Sequence, residues 1–153
     1  MFETRRLFEA RTKGYSTYRV PGIVTTRSGV VLATAEARRG KGGDWDGNDL
    51  VMRRSYDAGQ SWGDMQIVLT RDALGPGPIS NFVMISDREE GHVHALFCHN
   101  YARVFSTRTV NDGATWSQPI DITKTFASWG GDYPWKVIAT GPGHGIQLKG
   151  GRY

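Results

Sequence analysis

Three charged residues in the first third of the chain have types and spacing suited to chemistry on an anion. Arg19 lies in Tyr18-Arg19-Val20-Pro21-Gly22, among residue types that strands bury. A guanidinium there is costly unless it meets an anion, and its planar fork matches a carboxylate with two parallel hydrogen bonds. A structural ion pair with a neighbouring Asp or Glu meets the same need, so both readings stand at this point. Arg38 closes the next apolar run, and Asp44 follows in RRGKGGDWDG at 38–47. Basic residues flanking a loop carboxylate can hold an anionic ligand beside a proton donor; the plainer alternative is a solvated, charged loop. Arg39 is the second choice for the role of Arg38, and Asp46 the second choice for that of Asp44.

The other reactive residue types form no comparable set. His92 and His94 make an H-x-H pair on one strand face, but no third ligand is evident and no metal site is expected. His144 reads as packing between glycines. Gly141-Pro142-Gly143-His144-Gly145 lacks the Lys-Ser/Thr ending and the following helix of a phosphate loop. Cys98, the single cysteine, excludes an internal disulfide and reads as a small buried hydrophobe. No cofactor is called for.

Positioning those residues falls to a repeated unit. Ser55-Tyr56-Asp57-Ala58-Gly59-Gln60-Ser61-Trp62 returns as Thr109-Val110-Asn111-Asp112-Gly113-Ala114-Thr115-Trp116. Asp57 and Asn111 can bond back to nearby backbone N–H groups, Gly59 and Gly113 tolerate positive φ, and each indole gives its turn something to bury. Asn111 makes the same local turn as an aspartate. The surrounding runs read as strands: Tyr18–Thr26, Val30–Ala37, Leu50–Arg54 and Gln66–Leu69, then Phe82–Ser86, His92–Cys98, Arg103–Arg108 and Gln118–Ile122. Residues 7–8 also read as strand material, and Trp135–Thr140 as the opening of a third unit. Four short strands per unit of about fifty residues describe a β-propeller blade, so the fold class is all-β.

The combination of Tyr-Arg-Val-Pro, two Ser/Thr-x-Asp/Asn-x-Gly-x-x-Trp boxes and Ala139-Thr140-Gly141-Pro142-Gly143-His144-Gly145-Ile146-Gln147-Leu148 resembles the bacterial exo-sialidase (neuraminidase) family with Asp-box repeats. The resemblance runs from Leu7 to the last residue and implies a six-bladed β-propeller of sialidase type. Within 1–153, blade 1 spans about 18–70, blade 2 about 80–123, and the start of blade 3 about 133–153. The implied activity is hydrolysis of terminal sialic acid from glycoconjugates with retention, transfer being the close alternative. Arg19 then matches the first arginine of the triad that grips the substrate carboxylate, Asp44 the acid/base aspartate, and Arg38 an accessory arginine, while Asn81 lines the pocket near the 4-hydroxyl. The boxes of Ser55, Asp57, Gly59 and Trp62 and of Thr109, Asn111, Gly113 and Trp116 are structural in that family. Its tyrosine nucleophile, partner glutamate and remaining triad arginines come from later blades. Tyr15, Tyr18, Tyr56, Tyr101, Tyr133 and Tyr153 do not match that place, so residues 1–153 alone are expected to lack turnover.

Composition agrees with a folded chain and an anionic partner. The 153 residues are 39% hydrophobic and 11% aromatic with 20 glycines, and carry a net charge of +4. The basic residues are scattered, and no nucleic-acid signature is present. No apolar run is long enough to span a membrane, and the N-terminus lacks the apolar core of a signal peptide. As written the chain is expected in the cytoplasm, or secreted or periplasmic if its start lies upstream. The rival reading is a non-catalytic Asp-box propeller that binds glycans or proteins, since a fold alone never fixes function.

Overall fold

The computed structural model describes residues 3–131 and 133–153. Its strands are β1 (Thr17–Thr25), β2 (Val31–Arg38), β3 (Asn48–Ser55), β4 (Gln66–Leu69), β5 (Ile79–Ser86), β6 (Val93–His99), β7 (Arg103–Thr109) and β8 (Ile120–Asp121). They form two four-stranded sheets in plain sequence order, β1 to β4 and β5 to β8, and every paired strand is antiparallel. This is the meander of two successive propeller blades. A 3-10 turn at Arg71–Leu74 joins the sheets, and a short helix α1 (Thr123–Ala127) follows the second.

The period-two rule explains how β2 serves two cores at once. Leu32 joins the larger core, where Leu50 and Met52 of β3 meet Ile79, Phe82 and Met84 of β5 and Phe97 and Phe105 beyond them. Ala35 and Ala37, on the opposite face, join Tyr15 and Val51 in a smaller cluster. Glu36 and Arg38 therefore share the face of Leu32, the face that meets blade 2. Both are buried at 1% exposure, which for charged groups demands partners.

The two boxes close their turns with matching hydrogen bonds. In the first, the Gly59 N–H donates to Ser55 Oγ at 2.8 Å, and the Ser61 N–H and hydroxyl donate to the Asp57 carboxylate at 2.8 and 2.5 Å. In the second, the Gly113 N–H donates to Thr109 Oγ1 at 3.0 Å, and the Thr115 N–H donates to Asn111 Oδ1 at 3.0 Å. Asn111 Nδ2 donates to the Thr115 hydroxyl at 2.9 Å, reversing the polarity of the Asp57–Ser61 bond without changing the turn. Box two also joins the blades: the Ser28 hydroxyl of the β1–β2 turn donates to Asp112 at 2.7 Å, and Trp116 meets Phe82 edge-on at 5.4 Å.

Two expected strands are not formed. Residues 7–8 make no ladder; the Leu7 C=O accepts from Arg53 Nε at 2.8 Å and Phe8 stacks on Tyr18 at 5.5 Å. Residues 135–140 are also outside any strand, having no antiparallel partner among the described residues. The segment after them runs beside β5 instead, through a parallel bridge between Met84 and His144 and a 2.9 Å bond from the Gly145 N–H to the Met84 C=O.

Candidate active site

Topology gathers the sequence-nominated residues at one end of both sheets. Thr17 pairs with Arg38 and Arg19 with Glu36 across β1 and β2, so the start of β1 lies beside the end of β2. The loop at 39–47 leaves from that end, and β3 returns there at Asn48. Ser80 and Asn81 lie near the start of β5, and Asn100 and Tyr101 turn the β6–β7 hairpin at the same end. The boxes follow β3 and β7, at the far ends of those strands.

Arg38 is the hub. Its Nε and Nη2 donate to Glu36 Oε2 at 3.0 and 2.6 Å, and its Nη1 donates to Asp44 Oδ1 at 2.5 Å and to the Gly42 C=O at 3.2 Å. Burial alone would lower the pKa of this guanidinium; its bonds to Glu36 and Asp44 outweigh burial and raise it, so it stays a cation. The Asp44 side chain is 62% exposed. The hydrogen bond from Arg38, with the charges of Arg38 and then Arg19, holds its carboxyl below the ordinary aspartate range. In the unliganded protein Asp44 is therefore held ionised; the protonated form expected of it is the one beside a negatively charged substrate.

The loop that carries Asp44 is anchored at both ends and at its tip. Arg39 donates to Asp49 at 3.0 Å and lies over the Tyr15 ring at 4.6 Å. The Tyr15 hydroxyl donates to the same carboxylate at 2.6 Å, and the Arg71 N–H to its other oxygen at 2.8 Å. Burial would raise the pKa of Asp49, but those donors prevail and lower it. Burial, with the bond to Asp49, pushes Tyr15 up to about 12. At the other end Asn48 clasps blade 2: its Nδ2 donates to the Ile79 C=O at 2.6 Å and its Oδ1 accepts from the Ile79 N–H at 2.8 Å. At the tip, Trp45 lies 4.8 Å from the Tyr101 ring, whose hydroxyl donates to the Asp44 C=O at 3.4 Å.

Arg19 behaves differently from Arg38. It is exposed on β1, the edge strand of its sheet, and among the described residues it makes no ion pair or hydrogen bond. The ion-pair reading of this arginine thus finds no partner among the described residues. Asn81 is 8% exposed with φ at 59°; its N–H donates to Glu36 Oε1 at 2.8 Å and its C=O accepts from Thr140 at 2.6 Å. Its amide turns inward to Cys98 Sγ at 3.6 Å, so its backbone, more than its side chain, joins the site. Arg39 and Asp46 are occupied elsewhere, the latter accepting from the Gly43 N–H at 2.9 Å.

Residue-type reasoning passed over Glu36, Asn48 and Tyr101. Glu36-x-Arg38 was legible as two opposite charges on one strand face, but its bond to Asn81 depends on how the blades meet. A groove of about 790 Å³ along Ile85, His94, Leu96 and Arg108 lies on the flank of blade 2 and includes none of the nominated residues. Among the described residues no group of His, Cys, Asp and Glu is placed to hold a metal ion, and no helix is long and apolar enough to cross a membrane.

Comparison with known proteins converges on one group. No protein-family model matches the chain. It is 29% identical to human sialidase-4 over 95% of its own length and 33% of that protein, and 30% identical to mouse sialidase-3 over 95% and 38%. It is 26% identical to a Bacteroides fragilis sialidase, covering 29% of it. Among solved structures, a Hadza microbial sialidase superposes over 93% of this chain and 32% of its own, with a TM-score of 0.72 and 27% identity. The chain thus spans about a third of the length of the relatives it matches.

Proposed function

We propose that this chain, a member of the sialidase family, supplies the acid/base side of an exo-α-sialidase site that releases terminal sialic acid from glycoconjugates with retention. The observation that carries the reading is an exposed guanidinium, Arg19, with no partner among the described residues, at the same blade end as a loop carboxylate, Asp44, steered by a buried arginine. A Trypanosoma rangeli sialidase with a TM-score of 0.63 to this chain has been solved with sialic acid bound. Sialic acid bears its carboxylate on the anomeric carbon, so an anionic nucleophile would be repelled, and sialidases use a tyrosine.

In this reading Arg19 binds the substrate carboxylate by paired hydrogen bonds. The arriving anion neutralises Arg19 and adds negative charge near Asp44, and both changes raise the aspartate pKa from its depressed resting value. Asp44 then takes up a proton, delivers it to the glycosidic oxygen as that bond breaks, and later removes one from the water that releases the sugar. Burial raises the pKa of Tyr101, which leaves its phenol neutral and suits it to support the loop. Turnover is expected from a protein that also carries the nucleophilic tyrosine and further arginines, and not from residues 1–153 alone.

The test compares Asp44→Asn and Arg19→Ala in the full product of the reading frame on an activated aryl sialoside and on sialyllactose. Losing a general acid lowers turnover by about 10²–10⁴-fold, and most for sialyllactose, whose leaving group needs the proton; Arg19→Ala raises KM. Unchanged turnover in Asp44→Asn on both substrates overturns the reading. Saturable sialoside binding without turnover in the parent supports the non-catalytic propeller.

A further inference from the structure

Resting on that reading, we propose that Glu36 is a positioning residue that ties the location of the Asp44 carboxylate to the docking of blade 2. One of its oxygens, Oε2, takes both Nε and Nη2 of Arg38, which leaves Nη1 to reach Gly42 and Asp44. The other, Oε1, takes the N–H of Asn81 on the neighbouring blade. The Asn81 C=O in turn receives the Thr140 hydroxyl, so one chain of bonds crosses three adjacent segments at the level of Asp44. Glu36 is 1% exposed, and its oxygens are taken by Arg38 and by the Asn81 N–H, so it acts through those groups.

A carboxylate is specifically required here. Both Glu36 oxygens accept, and three N–H groups converge on them, two from a cation. Glutamine keeps the shape but offers one acceptor, and its NH₂ faces either the Arg38 donors or the Asn81 N–H. In a site with 1% exposure at Arg38, a guanidinium left with two unpaired N–H groups moves out towards water and ceases to hold Asp44. The charged groups that act on the Asp44 carboxylate are Arg38 from β2 and Arg19 from β1; the Tyr101 phenol from the β6–β7 turn meets its backbone C=O, and Asp46 lies two residues on in the same loop, accepting from the Gly43 N–H.

The proposal is tested by following the Asp44 carboxyl carbon through a pH titration by ¹³C NMR in wild type, Glu36→Gln and Glu36→Asp, with the Asn81 amide shift as a reporter of blade docking and the Thr115 amide as a reporter of folding. Kinetics of the same variants in the full product of the reading frame are measured alongside. Expected in Glu36→Gln are an upward move of the Asp44 midpoint by about one unit and a fall in kcat of about tenfold to a hundredfold with KM little changed, while Glu36→Asp recovers part of both. An Asp44 midpoint that stays or falls in a folded Glu36→Gln protein overturns the proposal. So does a loss of stability with kcat and the pH profile intact. Should Glu36→Gln lose its fold, Glu36→Asp decides by the same midpoint and kcat. If Asp44→Asn leaves turnover unchanged, the sialidase reading fails independently of Glu36; if Asp44→Asn abolishes turnover and Glu36→Gln does not alter it, only this proposal fails.

Discussion

Replacing Asn48 tests whether one side chain joins the Asp44 loop to the second blade. Asn48 is 1% exposed and gives Ile79, itself 0% exposed, both of its backbone partners, at 2.6 and 2.8 Å. Asn48→Ala leaves a buried N–H and a buried C=O unpaired, at about 1–3 kcal/mol each, so the expected loss is roughly 2–6 kcal/mol. That is a large part of the roughly 5–15 kcal/mol that holds a typical domain together. Asn48→Asp keeps the volume and separates the two bonds. The new carboxylate still accepts from the Ile79 N–H, but its second oxygen faces the Ile79 carbonyl where a donor stood. It binds a proton more readily when folded than when unfolded, which raises its pKa. The deficit relative to wild type is therefore full above that raised pKa and shrinks as pH falls through it. Urea unfolding followed by tryptophan fluorescence at about pH 7 and about pH 5 gives both quantities from the shift in midpoint at constant slope. A loss below about 1 kcal/mol for Asn48→Ala, or a deficit in Asn48→Asp that does not change with pH, refutes the clasp.

The two boxes should part company in acid. Bonds from the Ser61 hydroxyl and N–H, and from Ser55, hold Asp57 down to about 2, so its contribution is present above the ordinary aspartate value and is lost as pH falls from about 4 through about 2. Asn111 has no such proton, so the Ser61 amide shift titrates near 2 and the Thr115 amide shift does not; equal titration of both would sink this account. Gly145→Ala addresses the segment beside β5, because a Cβ there would lie 2.4 Å from Ile85 Cγ1 and 2.9 Å from its Cδ1. Overpacking of this kind costs about 1–3 kcal/mol, and the amide at position 145 should lose its hydrogen-exchange protection while β6 and β7 keep theirs; retained protection at 145 would refute the contact.

The sequence by itself determined the all-β class, the paired boxes and the short list of reactive residues, because each depends on local rules. A turn needs its glycine and its side-chain acceptor within a few residues, and alternation along VVLATAEAR places Glu36 and Arg38 on one face whatever that face meets. Arg19 and Asp44 were nominated by residue type and by the resemblance of short motifs. The tertiary structure decided what those residues touch. Arg38 turned out to be buried and committed to Glu36 and Asp44, Arg19 to be exposed and without a partner among the described residues, and the Asn81 side chain to point at Cys98. Asn48 and Glu36, which join blade to blade, carried no sequence signal of that role: their partners are backbone groups of Ile79 and Asn81, and backbone groups look alike in every sequence. The protonation of Asp44 belongs to the same class, since it depends on a guanidinium delivered by the neighbouring strand, and only the packing of β2 against blade 2 fixes where that guanidinium lies.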